Sequence, residues 1–156
     1  MKPNITSSAA VLLFVFGAGD VLAQGACAPG LTAAQLVTTL SGKYVCAKRP
    51  GPVDSDTWNE LHQGTTAAGG PIMDYKRGPT DAIDPSKVVG TYSINTGNNT
   101  VTYNYGDPGG PYTWVVSGGA SPNPETPGFQ FCNVATGALI PAIVSTSPIH
   151  AFCASP

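Results

Sequence analysis

Short segments in which apolar and polar residues alternate make up most of the chain after residue 43. In the clearest case, Val88–Ile94 and Thr100–Tyr105 alternate on either side of a turn at Asn95–Asn99. Each segment then has one aliphatic and aromatic face and one polar face, which is typical of an antiparallel sheet that is wetted on one side. Tyr112–Val116 continues the alternation, so consecutive hairpins in a meander are predicted.

Eight candidate strands follow this pattern, and the connections between them hold most of the Gly, Pro and Asn residues. The strands are Lys43–Ala47, Thr57–Gln63, Pro71–Lys76, Val88–Ile94, Thr100–Tyr105, Tyr112–Val116, Gly128–Asn133 and Leu139–Ser145. The predicted fold class is mainly β: an antiparallel meander forming a small barrel or half-barrel of short strands. Membrane-spanning barrels need strands of about 9–11 residues, so an outer-membrane barrel is disfavoured.

One short helix is predicted before the first strand. Thr32 and Gln35 have the spacing of a capping box, and Gly42 can end the helix. Leu36 and Leu40 share one face, so a helix over 33–40 must pack on the sheet to persist. Thr57–Gln63 also fits a helix, in which Trp58 and Leu61 would be core residues; this alternative stays open.

The first residues indicate export. Residues 1–23 have a positive start, an apolar stretch and a small-residue cleavage site at Val21–Ala23, which predicts a signal peptide. Residues 24–156 then form a single domain in the periplasm or outside the cell, without a transmembrane segment. Gln24–Cys27 partly fits a lipid-attachment motif, but Gln24 stands where an aliphatic residue is usual, so a lipid anchor on Cys27 is the less favoured alternative.

Four cysteines remain after cleavage, namely Cys27, Cys46, Cys132 and Cys153. An even number of cysteines in an exported domain predicts two disulfides. The sequence leaves three pairings open, and the two short loops of Cys27–Cys46 and Cys132–Cys153 are preferred. The cysteine spacing and the distant histidines do not fit a zinc site.

The composition excludes some functions. Only 10% of the residues are charged and the formal net charge is −2, with 19 Gly and 15 Pro. Nucleic-acid binding is disfavoured because it needs clustered Lys and Arg. No nucleophile, phosphate-binding or metalloprotease motif is present, so no catalytic residue, metal or cofactor is expected.

Three groups of residues are candidate ligand contacts. On a strand, Trp58, Glu60 and His62 share one face, where a ring beside a carboxylate and an imidazole suits a polar or sugar-like ligand. The alternative is that Glu60 and His62 point to water while Trp58 covers the barrel end. Asp74, Tyr75 and Arg77 precede a Pro-containing loop, which is a binding loop or an ion-paired surface. Tyr103 and Trp114, with Tyr92 and Tyr105, either line a cavity or fill the core.

The order of several motifs resembles a type of small exported proteobacterial protein of unknown function. The segments that carry the resemblance are Leu40–Cys46, Trp58–Glu60, Asp74–Pro79, Val89–Tyr92 and Phe131–Cys132. In that type, an L-x-G-x-x-V-C opening precedes a W-x-E segment and a V-G-T-[WY]-S strand. The similarity covers about residues 40–133 and implies no activity. The strand Gly90–Ile94 is also similar to strands of lipocalin and avidin meanders, which bind small ligands inside a barrel.

These observations together predict an exported, non-catalytic β-domain that acts as a binding or surface-assembly module of the bacterial envelope. Its expected partner is another copy of itself or an envelope or extracellular component. One alternative is a lipocalin-like binder of a small ligand. Another is a small secreted hydrolase that uses Glu60, His62 or Asp74.

Overall fold

A computed structural model of the chain describes residues 27–49, 57–74, 87–107 and 109–146. The signal peptide predicted over 1–23 lies outside these residues, as do Tyr75, Arg77 and Cys153. The described elements are α1 (Ala33–Leu40), β1 (Tyr44–Lys48), β2 (Thr57–His62), β3 (Gly70–Asp74), β4 (Lys87–Asn95), β5 (Thr100–Asn104), β6 (Tyr112–Gly118), β7 (Phe129–Asn133) and β8 (Leu139–Ser145).

The eight strands form a closed barrel in which each strand pairs with the next and every pair is antiparallel. β1 also pairs with β8, from Tyr44 opposite Ser145 to Ala47 opposite Ala142, so the sheet has no free edge. The predicted meander is confirmed, and the barrel rather than the half-barrel is formed. β2 is a strand throughout, so the helical alternative for this segment is wrong.

The core fills the inside of the barrel because alternate residues of each strand point inward. Large side chains from neighbouring strands, such as Ile72, Tyr92 and Val101, are at most 2% exposed. The remaining buried members of this core are Leu36, Leu40, Val45, Ala47, Ile94, Tyr103, Val116, Phe131, Ile140 and Ala142. The layer of rings and branched aliphatics is what the sequence alternation predicts for a filled barrel.

Helix α1 lies across the end of the barrel where β1 begins. The Thr32 hydroxyl accepts a hydrogen bond from the Gln35 backbone N–H, and the Gln35 side chain accepts one from the Thr32 backbone N–H, as the capping-box spacing predicts. Leu36 and Leu40 are fully buried in the barrel core. After the helix, the Gly42 backbone N–H donates to the His62 carbonyl at 2.8 Å, which ties α1 to the end of β2.

A disulfide joins Cys27, before the helix, to Cys132 on β7, with the two Cα atoms 5.7 Å apart. The preferred pairings of Cys27 with Cys46 and of Cys132 with Cys153 are therefore wrong. The physical reason is that the segment before α1 runs beside β6 and β7, where the Leu31 N–H donates to the Val116 carbonyl at 2.7 Å. Cys46 is also disulfide-bonded, with its partner outside the described residues. With its sulfur in a disulfide, Cys27 is not available for a lipid anchor.

Candidate functional site

Strand β2 places Trp58, Glu60 and His62 on one face, as the strand interpretation of this segment predicts, and that face points into the barrel. Glu60 lies opposite Val45 of β1, and His62 lies opposite Ile72 of β3, both of which are core residues. Glu60 is 6% exposed and His62 is fully buried. The alternative that Glu60 and His62 point to water is wrong.

Trp58 and Glu60 lie toward the end of the barrel opposite α1, which we call the distal end, whereas His62 ends β2 near α1. The distal end is formed where β1, β3, β5 and β7 finish and where β2, β4, β6 and β8 begin. Its inward-facing side chains include Trp58, Glu60, Asp74, Tyr105, Tyr112 and Trp114. Trp58 and Trp114 are half-buried against the core, and Tyr112 is 42% exposed, so this end of the interior is less enclosed than the end covered by α1.

Glu60 has a carboxyl group in a mostly apolar environment. The Tyr105 hydroxyl donates to Glu60 Oε2 at 2.9 Å, and Asp74 is the residue opposite Glu60 on β3. Burial raises the pKa of Glu60 to about 7, the Tyr105 hydrogen bond opposes this shift, and the nearby negative charge of Asp74 adds to it. The group therefore exchanges between its neutral and ionised forms near neutral pH.

His62 lies one layer deeper on the same face. Its Nε2 is 2.9 Å from the Tyr103 hydroxyl, and its ring meets the rings of Tyr92 and Tyr103 edge to face, with centroids 4.8 and 5.3 Å away. Burial lowers the pKa of His62 to about 4, and the backbone groups of Glu60 and Lys43 near the ring oppose this shift. The imidazole is thus neutral at pH 7. Its Nδ1 is buried without a hydrogen-bond partner among the described residues.

Aromatic rings surround this polar pair. The rings of Tyr103 and Tyr105 stack with an interplanar angle of 8° and centroids 6.3 Å apart, and Tyr105 contacts Tyr112 at 6.4 Å. Trp114 packs edge to face on Phe131 at 6.5 Å. Burial and the charge of Glu60 raise the pKa of the Tyr103 and Tyr105 phenols, so both hydroxyls stay protonated and can donate hydrogen bonds.

The structure brings together most of the predicted site residues. Trp58, Glu60, His62, Asp74, Tyr103 and Trp114 belong to the inside of one barrel, whereas Tyr75 and Arg77 lie outside the described residues. Tyr105 was expected only as a lining ring, and its hydrogen bond to Glu60 was not foreseen. The one sequence signal for this contact is that Tyr105 lies two residues after Tyr103, so both side chains are expected on the same face of the strand.

Arg49 is a residue of this region that the sequence pattern did not indicate. It follows β1, and its guanidinium carbon lies 5.4 Å from the centroid of the Trp58 ring, which is a cation–π contact. At the other end of the barrel, a groove of about 170 Å³ lies between the β6–β7 connection and the end of β8. This groove is lined by neutral residues, including Ser121, Asn123 and Ile143, so it holds no titratable group to match those of the distal end.

Within the described ranges, no three side chains of the metal-ligating types lie close enough together to hold a metal ion. The described part of the chain also contains no helix with the length and apolar character needed to cross a membrane. Comparison with known proteins finds no family model that matches the chain, no curated protein of similar sequence and no similar solved structure.

Proposed function

We propose that this protein is an exported, non-catalytic binding module that takes a small polar ligand at the distal end of its barrel. The observation that carries the proposal is the polar cluster of Glu60, His62 and Tyr105 inside an otherwise aromatic and aliphatic barrel. Export is supported by the Cys27–Cys132 disulfide, because disulfides persist mainly in oxidising compartments.

Holding these polar groups inside the barrel costs stability. Burying a carboxyl and an imidazole without full hydrogen bonding costs several kcal/mol, roughly, compared with filling the same space with apolar side chains. Among the described residues, His62 Nδ1 has no partner and the Glu60 carboxyl has a single donor, Tyr105. Polar groups with unused hydrogen-bonding capacity beside exposed rings are the usual lining of a small-molecule site.

Ligand screening by NMR on the purified protein tests the proposal. A set of small polar compounds, including simple sugars and amines, should shift the indole N–H signals of Trp58 and Trp114 and the backbone amides of β2, β3 and β5. Ligands bound at the groove beside Ser121 would instead shift residues of the β6–β7 connection.

Tyr105→Phe provides the matched variant, because it removes the hydroxyl that donates to Glu60 and keeps the ring. We expect it to weaken binding several-fold. Tyr44→Phe removes a hydroxyl from a residue at the other end of β1 and should leave binding unchanged. The proposal is wrong if no compound shifts distal-end residues, or if both variants bind a hit equally well.

A further inference from the structure

One row of residues on the outer surface of the barrel is buried. Cys46 on β1 lies opposite Asn59 on β2 and opposite Ile143 on β8, so the three residues follow one another across neighbouring strands. They point outward, because the residues beside them along the strands, such as Val45 and Ala142, belong to the barrel core. We call Asn59, Cys46 and Ile143 the outer row.

The outer row differs from other parts of the outer surface. Cys46 is fully buried, and Asn59 and Ile143 are each 6% exposed. Cys46 and Ile143 also form an apolar cluster of their own, separate from the barrel core. By contrast, Thr91 on β4 and Gln130 on β7 point outward and are exposed. A buried apolar row on the outside of a barrel wall needs a chain segment that covers it.

The Cys27–Cys132 disulfide shows how such a cover arises in this fold. Cys132 also points outward, since it lies opposite Val115 and next to the core residue Phe131, and it is 3% exposed. The segment that carries Cys27 runs beside β6 and β7 and is bonded to it. In that place, a segment outside the sheet covers an outward-facing cysteine and is fastened to it.

The cysteine count identifies the segment that is fastened to the outer row. Cys46 is disulfide-bonded, and Cys27 and Cys132 are bonded to each other. The chain has four cysteines, so the one that remains for Cys46 is Cys153.

The length of the C-terminal segment fits this pairing. β8 ends at Ser145, opposite Tyr44 and two residues from the level of Cys46, so the chain leaves the sheet beside the outer row. Seven residues, 146–152, lie between Ser145 and Cys153. At about 3.3 Å per residue they reach much farther than one strand spacing of about 5 Å. To place Cys153 over Cys46, the chain therefore has to turn back across the barrel wall.

The composition of the same segment suits an apolar surface. Residues 147–156 contain no Lys, Arg, Asp or Glu and include Ile149 and Phe152, and Pro148 favours a turn soon after β8.

We infer that residues 147–156 form a strap that turns back from β8, lies over the outer row and is fastened there by a Cys46–Cys153 disulfide. The strap crosses the place where β1 and β8 pair to close the barrel. The bond forms when the two thiols give up two electrons and two protons to an oxidised disulfide carrier, which is reduced to its dithiol. This inference is independent of ligand binding at the distal end.

Peptide mapping of the native, unreduced protein tests the covalent part. Trypsin cuts after Lys43 and Lys48 and so releases the peptide that holds Cys46, and chymotrypsin cuts after Leu139 and Phe152, which separates Cys153 from Cys132. We expect a peptide with Cys46 linked to one with Cys153, from a protein that runs as a monomer on a non-reducing gel. A covalent dimer joined by these cysteines would place the tail of a second copy on the outer row, and it would overturn the inference, as would any other partner for Cys46.

Thiol labelling with N-ethylmaleimide tests whether the segment covers the outer row without the covalent bond. In Cys153→Ser, Cys46 becomes a free thiol beneath the strap. Adding Ile149→Asp and Phe152→Asp should speed its labelling by about tenfold or more, because the reagent reaches Cys46 only when the strap has left. The matched control is Cys27→Ser, in which Cys132 is the free thiol and its labelling rate should not respond to the two aspartates.

Equal labelling of Cys46 with and without the aspartates would show that the segment does not lie over the outer row. Faster labelling of Cys132 to the same extent would mean that the aspartates loosen the barrel as a whole, which also contradicts a strap confined to the outer row.

Discussion

Glu60 and His62 are both titratable groups, and both lie on the inward face of strand β2. Burial raises the pKa of the acid to about 7 and lowers the pKa of the base to about 4, so in both cases the neutral form is favoured. The two groups therefore affect stability with opposite dependence on pH. Because the two dependences are opposite, single substitutions can separate the effect of Glu60 on stability from that of His62.

Glu60→Gln should stabilise the barrel at high pH. The pKa of Glu60 is 4.5 in its ordinary environment and about 7 in the folded protein. Between these values the folded state binds more protons than the unfolded chain, so stability is full below pH 4.5 and is lost as the pH rises through 7. The variant keeps a neutral isostere, so it should match the native protein near pH 4.5 and exceed it by about 3 kcal/mol at pH 8.

Urea denaturation at both pH values measures this difference, with Glu125→Gln as the exposed control at the other end of the barrel. Parallel stability curves for the native protein and Glu60→Gln from pH 4.5 to 8 would mean that Glu60 is not desolvated in the fold.

His62 should lower stability in acid. Its pKa is 6.5 in its ordinary environment and about 4 in the folded protein, so its contribution is present above pH 6.5 and is lost as the pH falls through 4. In the native protein the opposite slope of Glu60 masks this loss between about pH 4.5 and 6.5. In the Glu60→Gln background we expect a fall of about 3 kcal/mol from pH 7 to pH 4, measured by urea denaturation. Replacing His62 with Gln in that background should remove the slope.

The sequence could predict that Trp58, Glu60 and His62 share a face, because that follows from the two-residue period of a strand. It could not choose between the inside and the outside of the barrel. That choice depends on register, since one face of β2 meets Val45 and Ile72 and the other meets Cys46. Tyr105 directly follows β5, and β5 and β2 are not neighbours in the sheet, so no local pattern indicates the contact of Tyr105 with Glu60.

At the scale of elements, the stability of α1 comes more from the contacts at its N-terminus than from its length. The helix has eight residues, and its first turn is held by Thr32, by Gln35 and by Asn99, whose side-chain oxygen accepts from the Ala33 backbone N–H at 2.9 Å. A helix this short does not persist alone in water. The cap and the buried Leu36 and Leu40 therefore determine whether it forms.

Thr32→Ala should lower the free energy of unfolding by about 1 kcal/mol, because it leaves the Gln35 backbone N–H of the first turn without its acceptor. Amide hydrogen exchange should rise first in α1, ahead of the strands. Thr38→Ala is the matched control: the Thr38 hydroxyl donates to the Ala34 carbonyl on the exposed side of the same helix. Its loss should change stability by less than about 0.5 kcal/mol. Equal effects of the two substitutions would show that the cap does not hold the helix.

Element positions follow well from the sequence because turn residues and alternation act locally. Leu139–Ser145 is found as predicted, and α1 covers the predicted 33–40. The irregular pairing of β3 with β4, where the register shifts between Ile72 and Met73, was not predicted. A bulge of this kind depends on how two strands fit together across the sheet, and the sequence of one strand does not contain that information.

For the whole molecule, the strand pattern favours a closed barrel but does not determine whether the first and last strands pair. Short strands in a meander must hide two edges, and here the edges of β1 and β8 pair with each other along Tyr44–Ala47. The sequence pattern could not predict the disulfide pairing. Cys27 and Cys132 meet because the chain before α1 returns beside β6 and β7, a contact between residues 105 positions apart.

That separation predicts a large effect of removing the bridge. A cross-link between residues 105 positions apart restricts the unfolded chain strongly, and the chain-entropy model gives about 4–5 kcal/mol for such a loop. The double variant Cys27→Ala/Cys132→Ala should lose that much stability and show a larger denaturant dependence, because its unfolded state is more expanded. Since β1 and β8 close the barrel by backbone hydrogen bonds, its far-UV circular dichroism and the pH dependence due to Glu60 should remain. A loss below about 1 kcal/mol with the barrel intact would contradict the entropic argument, whereas loss of the barrel signal would mean that the bridge, and not strand pairing, holds the fold closed.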